Sequence, residues 1–495
     1  MIRSSTERHV LGVTSLGHDA SVALIEGDVV LFAAHAERYS RVKNDGLINK
    51  SLLDDALNGD KPHRIVWYEK PHLKALRWAY SGQWEAFGRT PSVHSHLNEM
   101  GLGGVPVSFV GHHESHAAGG YFTSGFDEAA VIVCDAIGEF ATTSVWVGQG
   151  DRLTRIWQAN YPHSLGLLYS AFTQRVGLKP NEEEYILMGM AALGVPKYAD
   201  DIRRDFIDER SYVKLKRNVH RGISWWRPEL TDADFPDIAA SIQEVIEERL
   251  VLLADWVKAR TRMSNLVFMG GVALNCVANT KIAEKEFLFD NIWIMPNPGD
   301  AGSSIGAVAA HLSRPIIFNT PYLGHEIKRE FDHASAVDAL LQGKVIGVAN
   351  GRAEFGPRAL GNRSLICDPR GPDVKDRVNA IKRREPFRPF APIVMEHLAR
   401  DYFELPVPTS PYMQFVGKVK RPDLFPAITH YDGTARVQTL NRDQNPVFYR
   451  LLELWHEKTG CPMLLNTSLN IKGMPLVNTW EDALEFSETY GVEVF

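Results

Sequence analysis

The segment HHESHAA places His112 and His116 four residues apart. On a helix this spacing puts both imidazoles on one face, where two ring nitrogens can reach one metal ion, while His113 points elsewhere. Asp135 follows VIVC, which reads as a buried strand, and an acid at such a strand end is costly unless paired or coordinated. Asp300 stands similarly, in the polar turn after IWIMP. Two histidines and two aspartates suit a divalent transition metal such as iron, manganese or zinc. Ordinary surface or core histidines are the alternative. His18-Asp19, in the turn SLGHDAS, offers an imidazole able to act as a general base near neutral pH. A capped turn carrying a polar surface histidine is the competing reading.

A second set of residues is suited to anions. Arg358 and Arg363 lie in GPRALGNR, Lys382, Arg383, Arg384 and Arg388 in IKRREPFRPFAP, and Arg436 in HYDGTARVQ. Arginine binds phosphate or carboxylate in a bidentate manner. These cations alternate with Gly, Pro and Phe rather than with Glu, unlike a solvated charge run, although free surface basics remain the alternative for any one of them. Asn466 and Ser468, in NTSLN after the apolar PMLL, add amide and hydroxyl donors at an expected strand end. Gly270-Gly271 closes the apolar run NLVFM, where a backbone can approach a phosphate, or simply turn tightly. Taken alone, these residues point to a metal-containing transferase that handles nucleotide and phosphate.

Elements must position these groups. The chain has 495 residues, enough for two to four domains by length. Hydrophobic residues make up 44% and charged residues 23%, which excludes a disordered or collagen-like chain. A net charge of −6 excludes a global positive field for nucleic acid, though not a local patch. Cys134, Cys276, Cys367 and Cys461 have no metal-finger spacing and read as reduced thiols. The start MIRSSTERHV lacks a leader's apolar core and no run is long enough to span a bilayer, so a cytoplasmic protein is expected. HVLGVTS and SVALIEGDVVLFAA read as strands with a Gly27-Asp28 hairpin, and AAVIVCDAIGEFATTSVWVGQGDRLTRIWQ repeats that plan around Gly150-Asp151. An internal duplication is expected, giving two α/β halves facing a cleft with ligands at strand carboxyl ends. Residues 314–330 are Pro-punctuated and read as a boundary, and residues 200–235 as an insertion.

Taken in order, these motifs resemble the NodU/CmcH-type O-carbamoyltransferases over nearly the whole chain. The resemblance is carried by GHDAS, AERYSRVKND, HHESHAA, CDAIGE, GGVALN, PGDAGSS, GRAEFGPRALGNRS, KRREPFRPFAP, HYDGTARVQT and NTSLNIKGMPLV. It implies an N-terminal actin-like ASKHA (Kae-type) duplicated domain over 1–318 and a C-terminal YrdC-like α/β domain over 330–495. It also implies the chemistry: carbamoyl phosphate and ATP, with Mg, form carbamoyl adenylate, and the carbamoyl group then passes to an acceptor hydroxyl. His112, His116, Asp135 and Asp300 match the family's metal site, commonly iron. Arg358, Arg363, Lys382, Arg384, Arg388, Arg436, Asn466 and Ser468, with Gly270, Gly271 and Asn275 of GGVALN, match the site for carbamoyl phosphate and nucleotide. His18 is the expected base of the transfer step, oriented by Asp19. Asp237 in DIAASIQ is the second candidate, against a helix-capping role. Ile186 stands where the family usually has Lys, which places the acceptor side in question.

The expected partners are carbamoyl phosphate, a hydroxyl-bearing acceptor and a second copy in a homodimer. The acceptor is a small molecule such as a sugar or natural product, or a hydroxymethylated pyrimidine in DNA or a nucleotide. KLKRNVHRGISWWRPEL motivates the latter, with Lys214, Lys216, Arg217, His220 and Arg221 toward phosphates and Trp225 or Trp226 toward a base. A basic surface loop with core tryptophans is the competing reading. A threonylcarbamoylation-type enzyme and a non-catalytic ATP-binding regulator are the alternatives in function.

Overall fold

Two five-stranded sheets repeat one strand plan. The computed structural model describes residues 9–388 and 390–495. Residues 1–8, which carry most of the leader reading, and Pro389 of KRREPFRPFAP lie outside the described residues. The first sheet joins β1 (Val10–Thr14), β2 (Ser21–Glu26), β3 (Val29–His35), β4 (Arg64–Trp67) and β5 (Val107–Phe109) in the order β3-β2-β1-β4-β5. β1, β2 and β3 are antiparallel neighbours, while β4 and β5 continue parallel to β1. The second sheet has β6 (Glu128–Cys134), β7 (Ala141–Gln149), β8 (Arg152–Asn160), β9 (Asn265–Met269) and β10 (Asn291–Trp293), in the order β8-β7-β6-β9-β10. Its hydrogen-bonding directions follow the same plan. Both hairpins close on the expected Gly-Asp pairs, between β2 and β3 and between β7 and β8. The duplication read from two hairpins therefore extends to whole sheets.

Helices His112–Thr123 and Ser303–Leu312 pack on each other, and the core that joins them draws on strands of both sheets. β1, β6 and β9 are buried along almost their whole length, as parallel-type strands covered on both faces must be. The 27-residue helix Phe235–Thr261 lies against the second sheet and anchors its core with Ile242, Val245, Ile246 and Leu250.

The C-terminal region is a mixed six-stranded sheet. Its strand order is Gln438–Leu440, Ala391–Met395, Met463–Ser468, Arg363–Cys367, Ile346–Ala349, Glu493–Val494. The expected boundary at 314–330 is not free linker. Tyr322–Ile327 forms a strand after Pro321 and pairs antiparallel with Gly351–Glu354. Arg352 Nη2 then donates to Leu31 O of β3 at 2.7 Å, so this ribbon bridges the first sheet and the C-terminal region.

Within residues 200–235, helix Ala199–Phe206 is followed by irregular chain held by one isolated bridge, Ile207 to Leu215. Its anchor is aromatic: Trp226 is buried against Phe172, at a centroid distance of 5.1 Å, and against Phe206. Among the described residues, no helix is long and apolar enough to cross a membrane.

Candidate active site

The helix spacing does what the sequence predicts. His112 and His116 lie in the first two turns of His112–Thr123, Asp135 follows β6, and Asp300 opens the short turn before Ser303–Leu312. One ligand atom from each of the four falls within 4.8 Å of all the others. His112 Nε2 is 3.1 Å from Asp135 Oδ2 and 3.4 Å from Asp300 Oδ1; His116 Nε2 is 3.3 Å from Asp300 Oδ1 and 3.2 Å from His112 Nε2.

The donor set fits a divalent cation. His116 Nδ1 donates to Pro298 O at 3.1 Å, which leaves its Nε2 lone pair facing the cluster. Asp135 Oδ1 accepts from Ala136 N at 2.8 Å, freeing Oδ2 for the centre. Burial lowers the His112 and His116 pKa values, but Asp300 and Asp135 outweigh it and raise both; reciprocally, burial raises Asp300 but the charge of His112 brings it down to about 2. His113 turns away, its Nδ1 2.8 Å from Ser144 Oγ. Glu139, not singled out from the sequence although it ends the CDAIGE motif, accepts from His112 N at 3.0 Å and from Lys70 N at 2.9 Å. It thereby fixes the start of the ligand helix.

His18 and Asp19 sit in the β1–β2 turn. Their Nδ1 and Oδ2 are 2.9 Å apart, and His18 Nε2 is buried without a partner. Burial lowers the His18 pKa, but the hydrogen bond to Asp19 and the charges of Asp19, Asp300 and Glu182 raise it to about 9. Asp237 does not belong here. It accepts from Val195 N at 2.9 Å and pairs with Lys197 at 3.2 Å at the start of its helix, which is a structural role.

Gly270 adopts φ +92°, and a Cβ there would lie 2.2 Å from Cys134 O. It lets β9 turn tightly over the end of β6 and is not part of the cavity wall, so the expected phosphate contact falls to Gly271 alone. Gly271 N lies 3.3 Å from Asp135 Oδ1. Asn275 is committed on both side-chain atoms: Oδ1 caps helix Cys276–Ala283 through Ala278 N at 3.0 Å, and Nδ2 donates to Gln243 at 3.0 Å.

The expected anion-binding residues divide into two groups. Arg358, Lys382, Arg384, Arg388, Arg436, Asn466 and Ser468 line one cavity. Arg363 does not. It is fully buried, and its guanidinium donates only to backbone carbonyls, among them Asn478 O at 3.0 Å, Asn350 O at 3.1 Å and His325 O at 3.0 Å. Sequence spacing cannot distinguish a cation that binds substrate from one that binds loops, and Arg363 is the second kind. Lys382 Nζ is held by Ser468 Oγ at 3.0 Å and by Asn470 O and Oδ1, each at 2.9 Å. Burial, then Arg436, pushes Arg358 down to about 9; burial, then Arg388 and Arg436, does the same to Arg384. Guanidiniums hold their protons in proteins, so this crowding is expressed as affinity for an anion. Arg436 Nε and Asn466 Oδ1 are buried without partners.

The same cavity, of about 1310 Å³, is lined by His18, Asp135 and Asp300 as well as by the arginines. Between the two ends its wall includes Gly271, Asn275 and Cys276, with Tyr169, Tyr185 and Met188. Tyr185 lies under Arg388, 5.0 Å from cation to ring centroid. The sequence marked its neighbour Ile186 rather than Tyr185 itself. Ile186 next to it is buried and is not part of the lining.

The expected nucleic-acid contacts are largely used internally. Lys214 pairs with Asp208 at 3.2 Å, Lys216 donates to Arg204 O at 2.7 Å, and Arg217 lies 5.1 Å from the Trp225 ring. Trp226 is buried, with Nε1 donating to Asp205, so it cannot stack on a base; Trp225 is half exposed.

The chain matches the family model described as Carbamoyltransferase N-terminus over residues 102–309 and that described as Carbamoyltransferase C-terminus over residues 337–495. An uncharacterized protein of Synechocystis is 37% identical, with 96% of this chain and 93% of that protein covered. The chain belongs to the carbamoyltransferase family. Nodulation protein NolO of Bradyrhizobium diazoefficiens is 36% identical over 76% of this chain and 75% of its own length. The 3'-hydroxymethylcephem-O-carbamoyltransferase of Amycolatopsis lactamdurans is 28% identical over 96% of both. This carbamoyltransferase is thus of the NodU/CmcH type and a carbamoyl-transferring enzyme, which sets aside the reading as a non-catalytic ATP-binding regulator.

Proposed function

We infer that the protein is an ATP-dependent O-carbamoyltransferase whose two half-reactions share one chamber. The observation that carries this reading is the single cavity joining the arginine cluster to the His–Asp cluster. In this reading the N-terminal duplicated sheets are the ASKHA-type transfer domain, within 1–318, and 330–495 is the YrdC-like domain that forms the adenylate.

At the arginine end, carbamoyl phosphate and ATP are both anions, and Arg358, Arg384, Arg388 and Arg436 offset their repulsion and orient them. Asn466 and Ser468 supply uncharged hydrogen-bonding groups beside them. Water cleaves the P–O bond of carbamoyl phosphate and inorganic phosphate leaves. The freed carbamate oxygen attacks the α-phosphorus of ATP, the bond from that phosphorus to the bridging oxygen breaks, and carbamoyl adenylate forms as pyrophosphate departs. At the other end the acceptor hydroxyl oxygen attacks the carbamoyl carbon, the bond from that carbon to the AMP phosphate oxygen breaks, and AMP departs. His18 Nε2 takes the hydroxyl proton while Asp19 holds Nδ1. His112, His116, Asp135 and Asp300 would hold a divalent cation, iron with manganese or zinc as alternatives, which would supply positive charge for the leaving phosphate. A mixed anhydride is prone to hydrolysis, so forming and consuming it within one shared cavity favours transfer over loss to water.

The acceptor is a small molecule. The internal pairing of Lys214 and Lys216 and the burial of Trp226 leave little of the 200–235 segment for a DNA duplex. Pyrophosphate release from ATP, with and without carbamoyl phosphate and with no acceptor, tests the first half. Release that requires carbamoyl phosphate is expected; release indifferent to it would overturn the adenylate route.

A further inference from the structure

Arg77 has no part in the chemistry above, yet it lines the transfer end of the cavity. Helix Pro71–Ser81 is fastened to the His18 turn by Lys74, which donates to Leu16 O at 3.2 Å and to Glu69 at 2.7 Å. Arg77 follows one turn later. It is only 7% exposed, its Nη1 donates to the neutral amide of Gln83 at 2.6 Å, and its Nε is buried with no partner. Among the described residues no carboxylate pairs with it, and Glu69 is already committed to Lys74. A buried cation resting on an amide is under-compensated, and an anion arriving with a ligand is the natural complement.

The surroundings say which ligand. His220 stands beside Gln83, with Nε2 to Nε2 at 3.5 Å, and is held by Tyr161 Oη at 3.2 Å. Past this wall a second cavity of about 380 Å³ opens between Tyr80, Tyr161, Asn218 and Arg221. The transfer end is therefore flanked, across the Tyr161–His220 contact, by an aromatic and cationic recess. The donor's phosphates already have four arginines at the opposite end, so the anion facing Arg77 belongs to the acceptor.

We propose that Arg77 selects the acceptor: its non-reacting part carries an oxyanion, a carboxylate or a phosphate, which seats on the Arg77 guanidinium while the hydroxyl lies at His18. This rests on the reading of the His18 end as the transfer site. The test uses the full-length, metal-loaded protein with glucuronate, glucose and glucosamine, which share a ring and differ in charge. Transfer of labelled carbamoyl groups is measured alongside calorimetric titration of the same compounds, which needs no turnover. The wild type is expected to favour glucuronate over glucose by about tenfold or more, with glucosamine last. Arg77→Gln should erase that order through KM while retaining the glucose rate, and Arg77→Lys should restore part of it. An absent or reversed order in the wild type, an order that survives Arg77→Gln, or an equal loss on all three compounds overturns the selector. Acceptor-free pyrophosphate release is read separately in the wild type. Its absence strikes the underlying reading, whereas release without charge discrimination strikes only Arg77.

Discussion

The two ends of the cavity solve opposite electrostatic problems. At the His–Asp end, acids and imidazoles converge and each offsets the other's burial, so the cluster is assembled before any ligand arrives. At the arginine end, cations crowd cations and depress one another's pKa values. One end is a receptor for positive charge and the other for polyanions. In the proposed route a substrate begins among the arginines and finishes beside the His–Asp cluster, and so is handed between sites of opposite preference.

Breaking the metal end should have the largest effect. The double variant His112→Ala/His116→Ala is expected to lose bound metal by elemental analysis and to lose transfer by about 10³-fold or more. Carbamoyl-phosphate-dependent pyrophosphate release should persist. Parallel loss of both half-reactions would erase the distinction between the ends. Arg436→Ala is the reciprocal case: pyrophosphate release should fall by about 10²-fold, with metal content unchanged.

The pH profile sharpens the contrast further. The His18 pKa is raised to about 9, so below that value only a minority of the ring is free to accept a proton. Transfer should rise about tenfold per pH unit toward about 9 and level off above it, and His18→Gln should flatten this limb. A profile already flat from pH 6 would exclude His18 as the base.

Arg363 separates structure from chemistry within the arginine region. Arg363→Ala strands several buried carbonyls, at about 1–3 kcal/mol for a group left unsatisfied, and should lower the unfolding midpoint well before it alters metal content. Arg358→Ala, by contrast, should leave the midpoint nearly unchanged while slowing adenylate formation. The smallest effect is expected for Asn275→Ala, about 1 kcal/mol for the lost helix cap, measured by denaturant unfolding. A loss of pyrophosphate release far beyond that would return Asn275 to substrate binding.

Local features were legible in the sequence because each depends on near neighbours. The His112/His116 spacing, the Gly-Asp hairpins and the strand ends before Asp135 and Gly270 all follow from periodicity. Arg363 and Arg358 could not be told apart, because the difference lies in which distant carbonyls surround the guanidinium. At Gly270 the sequence leaves a phosphate approach and a tight turn equally open, and the close approach is to Cys134 O, a contact created only when β9 pairs with β6. The strand at Tyr322–Ile327 was hidden by flanking prolines that terminate the preceding element without forbidding a new one. Trp225 and Trp226 illustrate the same limit: Phe206 touches both rings, but Trp226 also packs on Phe172 and is buried while Trp225 is half exposed.

The helix capped by Asn275 has a consequence for how such enzymes diversify. One turn along, Thr280 exchanges hydrogen bonds with the backbone of Val416, at 2.9 and 3.3 Å, while Asn279 donates to Gln414 O at 3.1 Å. This helix therefore belongs to both lobes. A recombination joint placed at the proline-marked connection near residue 320 would sever that mortise and leave Gln414–Val416 facing a foreign partner. Chimeras intended to exchange acceptor range must carry residues 414–416 together with the N-terminal lobe, or rebuild residues 275–280 to match the new one.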